Sequence, residues 1–142
     1  MSASADGMVY LVFAGFLVIQ GSAVHLQLLY TLVIAFGIER PLYYVSKNLI
    51  QRTRPCDALI CGAYIKPNDK FSLPSGHSAA AWAFAVAVGH FYPNFESLLY
   101  IWAGSVACSR VLLGVHYPLD TLVGSLFGAC CALSALLILE VV

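Results

Sequence analysis

The chain alternates between long stretches without a charged side chain and short segments that concentrate its polar residues. Residues 7–38, 78–95 and 121–139 contain no Asp, Glu, Lys or Arg. A helix needs roughly 20 apolar residues to cross the hydrocarbon core of a bilayer, or about 17 at the short end. The pattern therefore predicts membrane-spanning helices joined by polar connections.

Breaks in this pattern divide the chain into five predicted helices. Gly21-Ser22 interrupts the first uncharged stretch, which is too long for one ordinary span. Pro118 stands at the favoured first-turn position of the last helix. Residues 51–75 carry six charged residues and three prolines and are predicted to form a long loop. We predict an all-α, polytopic transmembrane bundle with helices over about 6–20, 23–50, 76–91, 96–115 and 118–140.

The composition supports a membrane protein. Hydrophobic residues make up 61% of the chain and charged residues 10%, with a mean hydropathy of +0.84, whereas soluble domains carry about 25% charged residues. We expect a single integral-membrane domain over residues 1–142. The net charge is zero, so nucleic-acid binding has no electrostatic support. The N-terminal MSASADG has no basic residue ahead of the apolar run, so a cleavable signal peptide is not expected.

Counting membrane crossings places three polar segments on one face of the bundle. They are the end of the second helix, the start of the third, and the junction between the fourth and fifth. Every Lys and Arg lies on that half of the protein, whereas the turns near residues 21 and 93 have none. The positive-inside rule would place this face in the cytoplasm, but an anion-binding site would also need cations there. The charge count therefore leaves the orientation open.

The shared face gathers eight residues suited to binding and transforming a phosphate group. Arginine makes forked hydrogen bonds to phosphate oxygens, and lysine acts as a mobile point charge. The start of a helix offers backbone N–H groups to an anion, and a glycine there lets the ligand approach the backbone closely. The eight residues are Lys47 and Arg54 in KNLIQRTRP, Ser75, Gly76 and His77 in PSGH, and Arg110, His116 and Asp120 in SRVLLGVHYPLD.

His116 and Asp120 form the candidate nucleophilic pair. Residues four apart share a face on a continuous helix, and a carboxylate that accepts from one imidazole nitrogen leaves the other as a nucleophile or base. Pro118 between them disfavours a continuous helix. We therefore predict that His116 lies just before the last helix. His77 is a second imidazole, suited to protonating a leaving-group oxygen.

In this order, Lys-x6-Arg-Pro, Pro-Ser-Gly-His and Ser-Arg-x5-His-x3-Asp resemble the three-part signature of the type 2 phosphatidic acid phosphatase (PAP2) superfamily. The match runs from Lys47 to Asp120, about half of the chain, and fills every signature position. The resemblance implies that His116 attacks phosphorus to form a phosphohistidine, with Asp120 orienting it and His77 protonating the leaving group. It also implies that no metal or other cofactor takes part. The residues that it implies hold the phosphate oxygens are Lys47, Arg54, Ser75, Gly76 and Arg110.

The resemblance further implies a membrane lipid phosphatase acting on undecaprenyl diphosphate, phosphatidate or phosphatidylglycerol phosphate. It favours a bacterial inner membrane with the active site towards the periplasm or exterior. A disulfide between Cys56 and Cys61 would support that orientation, and two free thiols are the alternative. Members of this membrane type commonly have six spans, yet only 46 residues precede Lys47. A naturally small or a truncated form is therefore expected.

Three other functions are compatible with the same residues. A vanadate-dependent haloperoxidase would use the same anion pocket, although such enzymes are expected to be larger and soluble. A metal-dependent hydrolase would take His77, His116 and Asp120 as ligands. A non-enzymatic membrane scaffold or transporter is disfavoured by the complete motif.

Overall fold

The computed structural model describes residues 7–58 and 69–140, and all regular structure within those ranges is helical. The break at Gly21-Ser22 is the predicted one: Gly21 has a positive φ of 62°, which glycine adopts without steric cost. Ser22 then caps the next helix by accepting from the His25 backbone N–H at 3.3 Å. The helices are α1 (Gly7–Gln20), α2 (Ala23–Ile50), the single turn α3 (Pro55–Ala58), α4 (Gly76–Phe91), α5 (Glu96–Leu112) and α6 (Pro118–Ile138).

Helix α4 lies at the centre of the bundle and contacts α2, α5 and α6, while α1 packs against α2. Its inward positions are filled mainly by alanine, and small side chains let neighbouring helices approach closely. Larger side chains from the other helices, such as Leu28 of α2 and Val106 of α5, complete the core. The fully or almost fully buried alanines of α4 are Ala79, Ala80, Ala81, Ala83, Ala85 and Ala87.

Helix α6 lies close to the start of α4, at two glycines of α6 that face the α4 backbone. A Cβ atom at Gly124 would lie 2.5 Å from the Ser75 carbonyl oxygen, and one at Gly128 would lie 2.7 Å from the Ala79 carbonyl carbon. Real Cβ atoms essentially never approach another atom so closely. The absence of side chains at these two positions therefore sets the distance between α6 and the PSGH segment.

The outward surfaces of the helices are strongly apolar. Ile19 is 84% exposed and Ile101 is 70% exposed, whereas water-soluble monomers rarely expose large contiguous apolar surfaces. In the part of the chain that the structure describes, two helical regions, Ala23–Asp57 and Pro118–Ile138, are long and apolar enough to cross a membrane. The five predicted helices are confirmed as helices, while their number of membrane crossings stays a prediction.

Two details of the predicted organisation need correction. The fourth predicted helix ends at Leu112 rather than near 115, because Gly114 adopts a positive φ of 73° and the Val115 N–H bonds back to the Arg110 carbonyl at 3.3 Å. The loop that follows α2 contains the helical turn Pro55–Ala58. Cys61, one partner of the considered disulfide, lies outside the described residues.

Candidate active site

The turn between α5 and α6 brings His116 into the bundle. It begins at Gly114, whose left-handed backbone reverses the chain, and it ends at Pro118, the first residue of α6. The prediction that His116 lies just before the last helix is therefore confirmed. The His116 side chain is 3% exposed, so this turn holds an imidazole within the protein. Arg110, in the last turn of α5, is also buried.

Asp120 lies in the first turn of α6 and is completely buried. Its Oδ2 atom accepts a hydrogen bond from the Tyr117 backbone N–H at 2.9 Å and another from the Ser72 hydroxyl. Its Oδ1 atom accepts from Arg52 Nη1 at 2.8 Å. The His116 Nδ1 atom lies 3.9 Å from Asp120 Oδ2, which is longer than a hydrogen bond. His116 and Asp120 thus lie close together as expected, but without a hydrogen bond between their side chains, and other groups hold the carboxylate.

Lys47 and Arg54 meet beside His116 although they approach it from different segments. Lys47 lies in the last turn of α2 and Arg54 in the linker that follows, and both side chains are almost fully buried. Arg54 Nη1 donates to the Val115 carbonyl at 2.7 Å and lies 3.5 Å from His116 Nε2. The two cations and the imidazole therefore form one cluster.

Asp69 binds both of these cations. Its two carboxylate oxygens form ion pairs with Lys47 Nζ and with Arg54 Nη2. Tyr43, one turn before Lys47, donates to Asp69 at 2.6 Å and accepts from Lys47 Nζ at 2.5 Å. Asp69 is 40% exposed, whereas its partners are buried. A carboxylate thus occupies the hydrogen-bonding positions on Lys47 and Arg54 that are predicted to hold a phosphate.

The PSGH segment lies at the start of α4, directly beside the first turn of α6. The Ser75 N–H donates to the Asp120 carbonyl at 3.0 Å, and the Ser75 hydroxyl accepts from Ser78 at 3.0 Å. A Cβ atom at Gly76 would lie 3.0 Å from the Tyr43 ring, so a side chain there would be crowded. His77 follows on the first turn of α4 and is partly exposed.

The electrostatic environment of His116 favours the neutral imidazole. Burial, together with the positive charges of Arg54, Lys47 and Arg110, lowers the pKa of His116 from 6.5 to about 3. At neutral pH the imidazole is therefore neutral, with a proton on only one of its two nitrogens. Because Nδ1 faces Asp120 and Nε2 faces Arg54, a proton on Nδ1 leaves the Nε2 lone pair directed towards the cations.

Sequence reasoning missed four contributors to this site: Tyr43, Arg52, Asp69 and Ser72. Tyr43 precedes Lys47 by one helical turn, and that spacing was a usable signal. The other three lie in the linker between α2 and α4, and their contacts with Lys47, Arg54 and Asp120 span 15 to 68 residues along the chain. No local pattern in the sequence indicates such pairs.

Comparison with known proteins identifies the family of the chain. The model of the PAP2 superfamily matches residues 24–141. Over 103 residues the chain is 39% identical to an undecaprenyl-diphosphatase of Sulfolobus acidocaldarius, covering 70% of this chain and 49% of that protein. The chain thus spans about half the length of this curated relative.

Two crystal structures share the fold. The first is LpxE of Aquifex aeolicus, with a TM-score of 0.85 and 27% identity over 95% of this chain and 80% of that one. The second is a transmembrane PAP2-type phosphatidylglycerolphosphate phosphatase of Bacillus subtilis, with a TM-score of 0.72 and 27% identity over 99% and 74% of the two chains. Together with the apolar helices α2 and α6, this likeness identifies an integral membrane protein. The chain belongs to the PAP2 superfamily.

Proposed function

We propose that the chain is a membrane lipid phosphatase that removes phosphate from a lipid phosphomonoester or diphosphate through a phosphohistidine on His116. The observation that carries the proposal is a buried, neutral imidazole whose Nε2 atom faces a cluster of buried cations. Such a cluster is costly to bury unless an anion compensates it. Asp69 is that anion here, and because it is partly exposed, a phosphate could displace it. A phosphate group placed there would meet both its counter-charges and a nucleophile.

In the proposed reaction, the Nε2 lone pair of His116 forms a bond to phosphorus while the bond from phosphorus to the leaving oxygen breaks. His77 donates a proton to that oxygen, releasing an alcohol or a lipid monophosphate. His77 then accepts a proton from water as the water oxygen bonds to phosphorus, the bond from Nε2 to phosphorus breaks, inorganic phosphate leaves and neutral His116 is restored. Asp120 keeps the imidazole oriented throughout, as the signature implies.

The oxygens of the transferred group need positive charge that is already in place, because little solvent can reorganise in a buried site. We assign this role to Lys47, Arg54 and Arg110, with the Ser75 hydroxyl and the Gly76 backbone completing the pocket. The distances of Arg54 to Val115 and His116 support its place in the pocket. Gly76 packs closely against Tyr43, so that a Cβ atom there would require the Tyr43 ring to shift.

The proposed substrates are lipids whose headgroup carries a terminal phosphate: undecaprenyl diphosphate, phosphatidate or phosphatidylglycerol phosphate. The apolar outer surfaces of the helices suit a substrate that remains in the bilayer. The names of the Sulfolobus and Bacillus relatives support a lipid carrying phosphate or diphosphate. We place the protein in a bacterial inner membrane with the site towards the periplasm or exterior, as the family resemblance implies.

The deciding experiment measures phosphate release from these three lipid phosphates by the detergent-purified protein, with and without a metal chelator. We expect release from at least one lipid that the chelator does not reduce. Release that the chelator abolishes would indicate a metal-dependent hydrolase. Bromide oxidation on adding vanadate and peroxide, without phosphate release, would indicate a haloperoxidase. No reaction in either assay would contradict an enzymatic function.

Substitution of Asp69 by asparagine should strengthen the binding of inorganic phosphate or orthovanadate by about threefold. The Asp69 carboxylate occupies donors of Lys47 and Arg54, so an incoming anion must displace it, and a partly exposed ion pair contributes about 1 kcal/mol or less. The measurement is the inhibition constant of each anion in the phosphate-release assay. Asp57→Asn is the matched control, because Asp57 is an exposed carboxylate in the adjacent turn α3. Weaker inhibition of the Asp69→Asn variant would show that the carboxylate organises the cations instead of competing for them.

A further inference from the structure

Arg52 lies in the first signature segment but at none of its defining positions, and its side chain contacts Asp120 and Tyr117. It follows α2 in the linker, and its Nη1 atom donates to Asp120 Oδ1 at 2.8 Å. Its guanidinium lies over the Tyr117 ring, 4.3 Å from the ring centroid. Stacking on an aromatic ring fixes the plane of a guanidinium. Arg52 is therefore held at two points, Tyr117 and Asp120, that follow His116 at the start of α6.

The contacts of Asp120 explain why this turn needs a cation. Asp120 is fully buried, and a buried carboxylate without a counter-charge is strongly destabilising. Arg52 forms the ion pair, while Ser72 donates to the other carboxylate oxygen. The Ser72 N–H also donates to the Arg52 carbonyl at 2.8 Å. Arg52, Ser72 and Asp120 thus form one connected unit.

This unit acts on the environment of the proposed nucleophile. The Asp120 Oδ2 atom lies 3.9 Å from His116 Nδ1, so a negative charge there favours a proton on His116 and opposes the approach of a phosphate. Arg52 offsets that charge. The charged groups that act on His116 come from several elements: Lys47 of α2, Arg54 of the linker, Arg110 of α5 and Asp120 of α6. Arg52 and Asp69 of the linker pair with members of this set, and His77 lies on the first turn of α4.

We propose that Arg52 is a positioning residue: together with Ser72 it fixes the plane and offsets the charge of Asp120, and through Asp120 it keeps the His116 imidazole in place for attack. The consequence for catalysis rests on the proposed function. The ion pair between Arg52 and Asp120 and its effect on the His116 imidazole do not depend on the proposed function. Both can therefore be tested without an enzymatic assay.

The first test is an NMR titration of ¹⁵N-histidine-labelled protein in detergent, with the His116 signals assigned by their loss in His116→Ala. In Arg52→Gln, we expect the midpoint for His116 to rise by about one to two pH units. Arg52→Lys, which keeps the charge, should return it towards the wild-type value. Lys70→Gln removes an exposed charge from the same linker and should leave the midpoint unchanged. An unchanged midpoint in Arg52→Gln would overturn the proposal.

The second test separates positioning from direct binding of phosphate. In Arg52→Gln we expect kcat to fall by about 10-fold to 100-fold, with KM and the inhibition constant of inorganic phosphate nearly unchanged. In an Asp120→Asn background the same substitution should cost much less, because the two residues act as one unit. A rise in KM with unchanged kcat, or fully additive losses, would overturn the role through Asp120. If the wild type releases no phosphate, the proposed function fails, and the titration still decides the role of Arg52.

Discussion

Replacing His116 with alanine should lower phosphate release from a lipid phosphate by at least about 10³-fold. In the proposed reaction His116 forms the covalent intermediate, so its removal eliminates the chemical step and not only a contribution to binding. Among the described residues, the charged groups nearest to His116 are already engaged: Arg54 and Lys47 are cations paired with Asp69, and Asp120 is held by Arg52, Ser72 and the Tyr117 backbone.

Because the pKa of His116 is low, the imidazole needs no additional base to remove a proton before it attacks phosphorus. Burial and three neighbouring cations lower its pKa to about 3, so the imidazole is neutral and nucleophilic throughout the neutral pH range. A bound phosphate dianion opposes the cations and raises this pKa again, which favours the charged imidazole that forms as the bond to phosphorus develops. In the proposed reaction the same cations thus keep the imidazole neutral before the attack and hold the phosphate during it.

Two measurements check the expected loss of activity in His116→Ala. The first is the rate of phosphate release by wild type and His116→Ala under identical conditions. The second is the trapping of labelled, acid-labile phosphate on the protein, which should occur in wild type and be absent in the variant. His90→Ala is the matched control, because His90 is exposed at the opposite end of α4. Full activity of His116→Ala, or labelled phosphate on another histidine, would contradict the assignment.

The sequence was a good guide to the helices because their limits depend on local properties. Uncharged stretches, the break at Gly21-Ser22 and Pro118 at the start of α6 each act within a few residues. The end of α5 was placed three residues too late, because the stop is caused by the positive φ of Gly114 and a backbone bond to Arg110. A glycine within an apolar run does not by itself indicate whether it ends a helix.

The candidate site was predictable only as far as the signature extends. The spacing of His116 and Asp120 predicted a direct pair, yet the turn at Pro118 places Asp120 in the first turn of α6, where it accepts from the Tyr117 N–H. Its other partners are distant in sequence: Arg52 lies 68 residues away and Ser72 lies 48 away. Such contacts result from the packing of the linker on α6, which no periodicity in the chain encodes.

The substitution Gly128→Ala should destabilise the protein by about 1–3 kcal/mol and lower phosphate release by about 10²-fold. A Cβ atom at Gly128 would overlap the backbone of Ala79, lying 2.7 Å from its carbonyl carbon. Backbone cannot rotate away as a flexible side chain can, so α6 must move outward from α4. This movement separates the two halves of the site, because His116 and Asp120 lie at the start of α6 whereas Ser75 lies at the start of α4.

Gly104→Ala tests whether this effect arises from helix contact. Gly104 lies within α5, and a Cβ atom there would meet no atom within 4 Å. This substitution should therefore keep or slightly raise stability, since alanine favours the helical conformation by about 1 kcal/mol relative to glycine. Thermal unfolding of both variants in detergent, followed by phosphate release at a temperature where each is folded, separates lost stability from a displaced site. Normal activity of folded Gly128→Ala would show that the distance between α4 and α6 does not control the site, and equal losses in both variants would show that the packing of Gly128 against Ala79 is not their cause.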